Sequence, residues 1–209
     1  MTRPIIFAVL LTILQACGIK QGIQTEAQTE IFRDDFNTNI NEWAESTEAN
    51  TEKFFRDGHY HIINTESGWV TWSTININLD PSEDFIIETS VALNWHTMGS
   101  AYLLYGVDQT NSDFHYMSIV KVDNIVNSVS IGKRIDGQWT SETKDARLAP
   151  YGQQNILKVQ KRGDILTFSA NNRVVHRQEF EPFLGNRIGV GCGDNQSVSF
   201  DYLVVKQNN

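Results

Sequence analysis

From residue 31 onwards the chain consists of short runs rich in Val, Ile, Tyr, Phe, Trp and Thr, separated by turn signals. Residues 84–94 (DFIIETSVALN) give the clearest alternation. Phe85, Ile87, Thr89, Val91 and Leu93 fall on one face, and Ile86, Glu88, Ser90, Ala92 and Asn94 on the other. Residues 196–206 alternate likewise, and residues 164–170 follow Arg162-Gly163 as the second arm of a hairpin. Asp136-Gly137 is a hairpin turn joining residues 127–134 to 139–143, and Asp57-Gly58 and Asn171-Asn172 mark two more turns. Pro81, Pro150 and Pro182 lie between runs, where a missing amide hydrogen breaks no ladder. No stretch carries the sustained apolar stripe of an amphipathic helix. About thirteen runs suffice for two sheets packed face to face, and the lack of a fixed repeat argues against a propeller. The predicted class is an all-β sandwich of antiparallel sheets.

The order of the runs adds a resemblance. The chain opens with Asp34-Asp35-Phe36 followed by Trp43. It continues through GSAYLLYGVD, TNSDFHYMSIV and NSVSIGKRIDGQW between residues 99 and 139. NILKV, LTFSAN and RIGV follow, and FDYLVV closes the series. Taken in this order, the motifs resemble the concanavalin A-like lectin/glucanase superfamily, in particular its secreted bacterial members, over about residues 31–206. The resemblance implies a jelly-roll β-sandwich with one concave sheet, on which sugar binders and glycosidases of the superfamily hold glycans. It does not fix an activity, because members include lectins, hydrolases and interaction modules.

The amino end has a different pattern. Arg3 precedes an apolar run from Ile5 to Leu14, broken only by Thr12 and too short to span a bilayer as a helix. The run ends in Leu14-Gln15-Ala16-Cys17, which resembles the bacterial lipobox: a small residue at the cleavage point, then a thiol that takes the lipid. The expected organisation is a lipoprotein signal peptide over residues 1–16, lipidated Cys17 with a flexible tether to residue 30, and one domain over 31–206. Ordinary secretion, with cleavage near Ala16, is the alternative. In Gram-negative lipoprotein sorting an Asp after the Cys retains the protein at the inner membrane. Gly18 there points to the outer membrane if the host is of that type, and a lipidated Cys17 implies a cell-envelope location in either case. Cys192, flanked by apolar residues, reads as a buried small hydrophobe; lipidation of Cys17 excludes a disulfide between the two.

Charge narrows the partners. With 25 Asp+Glu against 17 Lys+Arg the formal charge is −8, and no basic run offers a footprint for nucleic acid. The aromatic share of 11% is what a carbohydrate-facing sandwich uses, since sugar rings stack their C–H faces on Trp and Tyr. Alternation predicts His115, Met117, Ile119, Val129 and Ile131 inward, with Phe114, Tyr116, Ser118, Ser130 and Arg134 outward. The candidate glycan face therefore combines Tyr102, Tyr116, Glu88, Asn94 and Arg134, with Trp139 at its rim.

Catalytic signatures are missing. Glycosidases resembling family 16 carry Glu-x-Asp-x-(x)-Glu on one strand, which aims both carboxylates into the cleft. That spacing is absent, as are a nucleophile elbow, a P-loop and a His-Glu-x-x-His helix. Adjacent Asp34 and Asp35 point to opposite faces, which suits turn capping or surface charge. His59 and His61 share one side of a strand and read as an exposed face rather than a metal site. Gly189, Gly191 and Gly193 alternate without a following helix, so they mark a sheet face of close approach rather than a phosphate loop. No cofactor is expected; the sandwich relatives suggest at most a structural calcium between Asp35 and Asp201. Three functions stay open: a non-catalytic carbohydrate binder, a glycoside hydrolase with carboxylates from separate strands, and a structural or protein-interaction lipoprotein.

Overall fold

The computed structural model describes residues 28–122 and 126–208. The expected signal peptide, Cys17 and most of the expected tether lie outside these residues. Among them there are fifteen strands and no helix. The first are β1 (Thr29–Asp34), β2 (Ser46–Thr47), β3 (Thr51–Arg56), β4 (His59–Asn64) and β5 (Val70–Asn76). Then come β6 (Phe85–Leu93), β7 (Gly99–Val107), β8 (Phe114–Val122), β9 (Val126–Ile135) and β10 (Gln138–Asp145). The last are β11 (Gln154–Arg162), β12 (Ile165–Ala170), β13 (Arg173–Glu179), β14 (Arg187–Gly193) and β15 (Gln196–Gln207).

They form two antiparallel sheets, a nine-stranded one ordered β13-β12-β11-β6-β15-β4-β3-β2 and a six-stranded one ordered β10-β9-β8-β7-β14-β5. The far half of β15 carries β1, with Glu30 opposite Lys206, so the domain begins at Thr29, inside the stretch read as tether. The jelly-roll sandwich expected from the sequence is the fold observed.

The three hairpin turns follow their residue types. Asp57-Gly58, Asp136-Gly137 and Asn171-Asn172 all have positive φ at both positions, the backbone of a type I′ turn, which matches the twist of the strands it joins. Alternation then sends one side of each strand into a common core: Phe85, Ile87 and Val91 from β6, Leu103 and Tyr105 from β7, Met117 and Ile119 from β8, and Phe200 from β15. Cys192 is fully buried in this core with a free thiol, as its apolar flanks imply, and burial pushes the thiol's pKa well up.

The loop after β1 is organised by Asp34. Its carboxylate accepts hydrogen bonds from the Phe36 amide at 2.7 Å, Asn41 Nδ2 at 2.7 Å and the buried Trp43 indole at 2.8 Å. Exposed Asp35 pairs with Arg33 instead. One member of the dyad caps a turn and the other is surface charge.

Candidate functional site

A second apolar cluster lies outside the sandwich core. Leu104, Val107, Phe114 and Tyr116, with Trp72 and Tyr102 packed against them, cover the outer face of the six-stranded sheet. Register builds it. Tyr116 on β8 stands between Leu104 on β7 and Gly132 on β9, and Ser141 on β10 follows Gly132. The next row contains Phe114, Arg134 and Trp139, and on the far side Trp72, Gly191, Tyr102, Ser118, Ser130 and Thr143 line up across six strands.

The glycines make this crowding feasible. A Cβ on Gly193 would lie 2.8 Å from the Tyr102 ring, so the outward glycines of β14 leave room for side chains leaning over from the neighbouring strands. Gly132 is tighter still: a Cβ there would collide with the backbone carbonyl oxygen of Thr140, because β10 curls over it.

The rings interlock. Tyr116 and Trp139 have centroids 5.3 Å apart, Phe114 and Trp139 5.5 Å, Tyr102 and Tyr116 5.5 Å, and Trp72 and Phe114 5.2 Å. Such edge-to-face pairs add roughly 0.5–1.5 kcal/mol each beyond area burial. Phe114 is fully buried beneath them, whereas Trp139 remains 41% exposed at the top. The Arg134 guanidinium lies 5.7 Å from the Trp72 ring centroid and 6.0 Å from that of Trp139, and it donates to the Ser112 carbonyl. Burial raises the Tyr102 phenol to about 12 and pushes Tyr116 up as well. Both stay neutral at physiological pH and act as hydrogen-bonding groups, not bases.

One end of the face is closed by residues 108–113. Asn111, at φ 60°, accepts the Trp72 indole N–H on its carbonyl at 3.2 Å and the Thr74 hydroxyl on its side chain at 2.6 Å. Asp108 holds the loop's shape. Its partial burial opposes charge, but the Thr110 hydroxyl and the amides of Asp113, Ser112 and Thr110 outweigh that and bring its pKa to about 2.

Of the residues proposed from sequence, Tyr102, Tyr116, Arg134 and Trp139 converge here. Glu88 and Asn94 do not join them, because β6 belongs to the nine-stranded sheet; alternation assigns a face but not a sheet. Glu88 lies on the outer side of that sheet, 2.7 Å from Lys158 Nζ and accepting the Tyr202 hydroxyl at 2.9 Å. Asn94 sits near Ser197 and Ser199 at the end of the same strand. Trp72 is the site residue absent from the sequence reading. The alternation of β5 sets it opposite buried Ile75, but only its pairing with Gly191 brings it beside Tyr102.

The remaining candidates are scattered. His61 stacks on Phe54 at 4.9 Å, and His59 lies 3.7 Å from Asp201, while Asp35 pairs with Arg33. No group of three or more His, Cys, Asp or Glu suited to a metal occurs among the described residues. A cleft of about 240 Å³ opens where β10 approaches β13, lined by His115, Lys133, Glu142, Gln178 and Glu181. Two cross-sheet contacts flank it, Lys133 to Glu181 at 2.5 Å and His176 to Glu142 at 3.4 Å.

No protein-family model matches the chain, and no curated protein matches it in sequence. Solved structures match its fold. A Bacillus subtilis protein of unknown function with a galectin-like fold has a TM-score of 0.64 at 11% identity, covering 88% of this chain and 99% of that one. The carbohydrate recognition domain of Emp47p has a TM-score of 0.60 at 13% identity, covering 90% and 100%. The catalytic domain of an endo-1,3-beta-glucanase from Thermotoga petrophila RKU-1 has a TM-score of 0.59 at 11% identity, covering 88% and 99%. At such identities the likeness establishes a shared fold: a jelly-roll sandwich of the galectin-like, glucanase-like kind.

Proposed function

We propose that this chain is a lipid-anchored cell-envelope protein whose six-stranded sheet binds carbohydrate without cleaving it. The observation that carries the reading is Trp139. It is a large indole, 41% exposed, held from behind by Tyr116 and Phe114 and flanked by Tyr102 and Arg134. A rigid aromatic backed by other rings presents area at little entropic cost, and the neighbouring guanidinium and hydroxyls orient a sugar. The carbohydrate recognition domain among the structural neighbours supports carbohydrate binding, and the glucanase catalytic domain keeps a hydrolase in view. The anchor rests on Leu14 to Cys17, with Cys17 as the lipidated residue, and Gly18 favours the outer membrane in a Gram-negative host.

The hydrolase alternative draws on the edge cleft, which Glu142 on β10 and Glu181 beyond the end of β13 both line. A general acid needs a raised pKa, yet a hydrogen bond from the Lys144 ammonium holds Glu142 below the usual carboxylate range. That disfavours Glu142 as the general acid.

The test is a broad glycan array probed with the full-length chain carrying Cys17→Ser. Binding that Trp139→Ala removes is the expected result, with no new reducing ends released from the bound polysaccharide. An array without hits would leave a structural or protein-interaction lipoprotein as the better reading. For the anchor, labelled palmitate should enter the wild-type chain and not the Cys17→Ser form.

A further inference from the structure

Charge is unevenly satisfied over this molecule. The chain has 25 acidic against 17 Lys+Arg side chains, yet only some cations meet a carboxylate, and Lys121 and Lys161 reach only backbone carbonyls. Arg33 has Asp35, Lys133 has Glu181, Lys144 has Glu142 and Lys158 has Glu88. Arg134 is half-buried in the aromatic face, and no acidic side chain pairs with it among the described residues. Its one hydrogen bond goes to the neutral carbonyl of Ser112. The carboxylates of the adjoining loop are engaged elsewhere: Asp108 takes the amides of Ser112 and Asp113, and Asp113 takes the Asp136 amide.

Two further polar groups on this face are short of partners. The Ser118 hydroxyl, on a residue only 1% exposed and directly across from Tyr102, has no hydrogen-bond partner. Arg187, on the outward side of β14, has no acidic partner either. Its Nε is buried without a partner, and its other nitrogens reach only the carbonyls of Thr74 and Gln109.

From a guanidinium without an acid, set beside the exposed Trp139 indole, we infer that the aromatic face selects anionic glycans, those bearing a carboxylate or sulfate on the ring that stacks against Trp139, with Arg134 as the residue that reads the charge. The inference rests on the glycan-binding reading and names its ligand class. A guanidinium between two indoles is weakly hydrated, and its flat fork matches two oxygens of a carboxylate or sulfate. Pairing with a carboxylate or sulfate adds a direct charge attraction and a bidentate fit that a neutral sugar hydroxyl cannot supply. The net charge of −8 does not forbid it, because salt screens exposed charges beyond about 8 Å while contact with Arg134 is direct.

Matched polysaccharides provide the test on the full-length Cys17→Ser chain. Polygalacturonate is compared with its methyl ester for the carboxylate arm, dextran sulfate with dextran for the sulfate arm, and inorganic sulfate serves as the small-anion control. At least one charged polymer should bind about tenfold or more tighter than its neutral twin. Arg134→Gln should erase that difference, and Arg134→Lys should restore it only in part, since an ammonium lacks the fork. Added salt should weaken the charged polymer and spare the neutral one. If Arg134→Gln fails to fold, as judged by its melt, Arg134→Lys and the salt series decide alone. Equal binding of charged and neutral twins, abolished by Trp139→Ala, would overturn the anionic preference while leaving the glycan site intact. Inorganic sulfate competing as well as the polymers would reduce Arg134 to a general anion contact and overturn it too. Binding that survives Trp139→Ala, or no polysaccharide bound at all, would bring down the glycan reading itself.

Discussion

The two outer faces of this sandwich are built from the same alternation and differ in how their polar groups are served. On the nine-stranded sheet, Glu88 meets Lys158 and Tyr202, and the Ser90 hydroxyl donates to Gln154 at 3.0 Å. These groups are answered from within the chain. The six-stranded sheet stacks Trp72, Phe114, Tyr116 and Trp139 over a glycine-bearing strand and leaves Arg134 without an acid. Both faces are solvent-side surfaces of one fold, so folding alone does not require the second arrangement. The exposed indole over a buried satellite cluster, with Arg134 beside it, is what the carbohydrate-binding proposal rests on.

Substitutions can separate the two faces by size of effect. The largest stability loss is expected for Phe114→Ala, about 3–5 kcal/mol in denaturant unfolding, because the ring is fully buried under the other aromatics. Gly132→Ala should follow at roughly 1–3 kcal/mol, since its Cβ would meet the Thr140 carbonyl and force β10 away; a shift in tryptophan emission should report Trp139 moving with it. Trp139→Ala should cost only about 1 kcal/mol of stability, as the indole is 41% exposed, but reduce glycan affinity by about tenfold or more. A large stability loss without loss of binding would make Trp139 packing alone.

On the other face, Glu88→Gln should change stability by about 1 kcal/mol or less and leave glycan affinity unaltered, because its ion pair with Lys158 is partly exposed. A further effect concerns pH. Asp108 is depressed to about 2 in the folded chain, so its contribution is present above its unfolded value near 3.9 and is lost as pH falls toward 2. Trp72, held by the same loop through Asn111, should change its emission in that window, and Asp108→Asn should remove the transition.

Much of the fold was legible in the sequence because the signals were local. Asp57-Gly58, Asp136-Gly137 and Asn171-Asn172 announce type I′ hairpins, and alternation in residues 114–120 sorts His115 and Met117 from Tyr116 without further help. The candidate site was legible only where its residues came from neighbouring strands of one hairpin series, as Tyr102, Tyr116, Arg134 and Trp139 do on β7 to β10. Glu88 and Asn94 were assigned the right side of β6, but which sheet holds β6 depends on its pairing with β11 and β15, contacts far apart in sequence. Trp72 escaped for the same reason, since β5 reaches the face only through β14.

The central claim is that carbohydrate meets the aromatic face of the six-stranded sheet. Its most direct test is amide and indole chemical-shift mapping of the isotope-labelled chain titrated with the polysaccharide selected on the array. Shifts should concentrate at Trp72, Tyr102, Tyr116, Arg134 and the Trp139 indole, with Glu88, Lys158 and Tyr202 unmoved. Shifts centred on the nine-stranded face, or on the Glu142–Glu181 cleft, would contradict it.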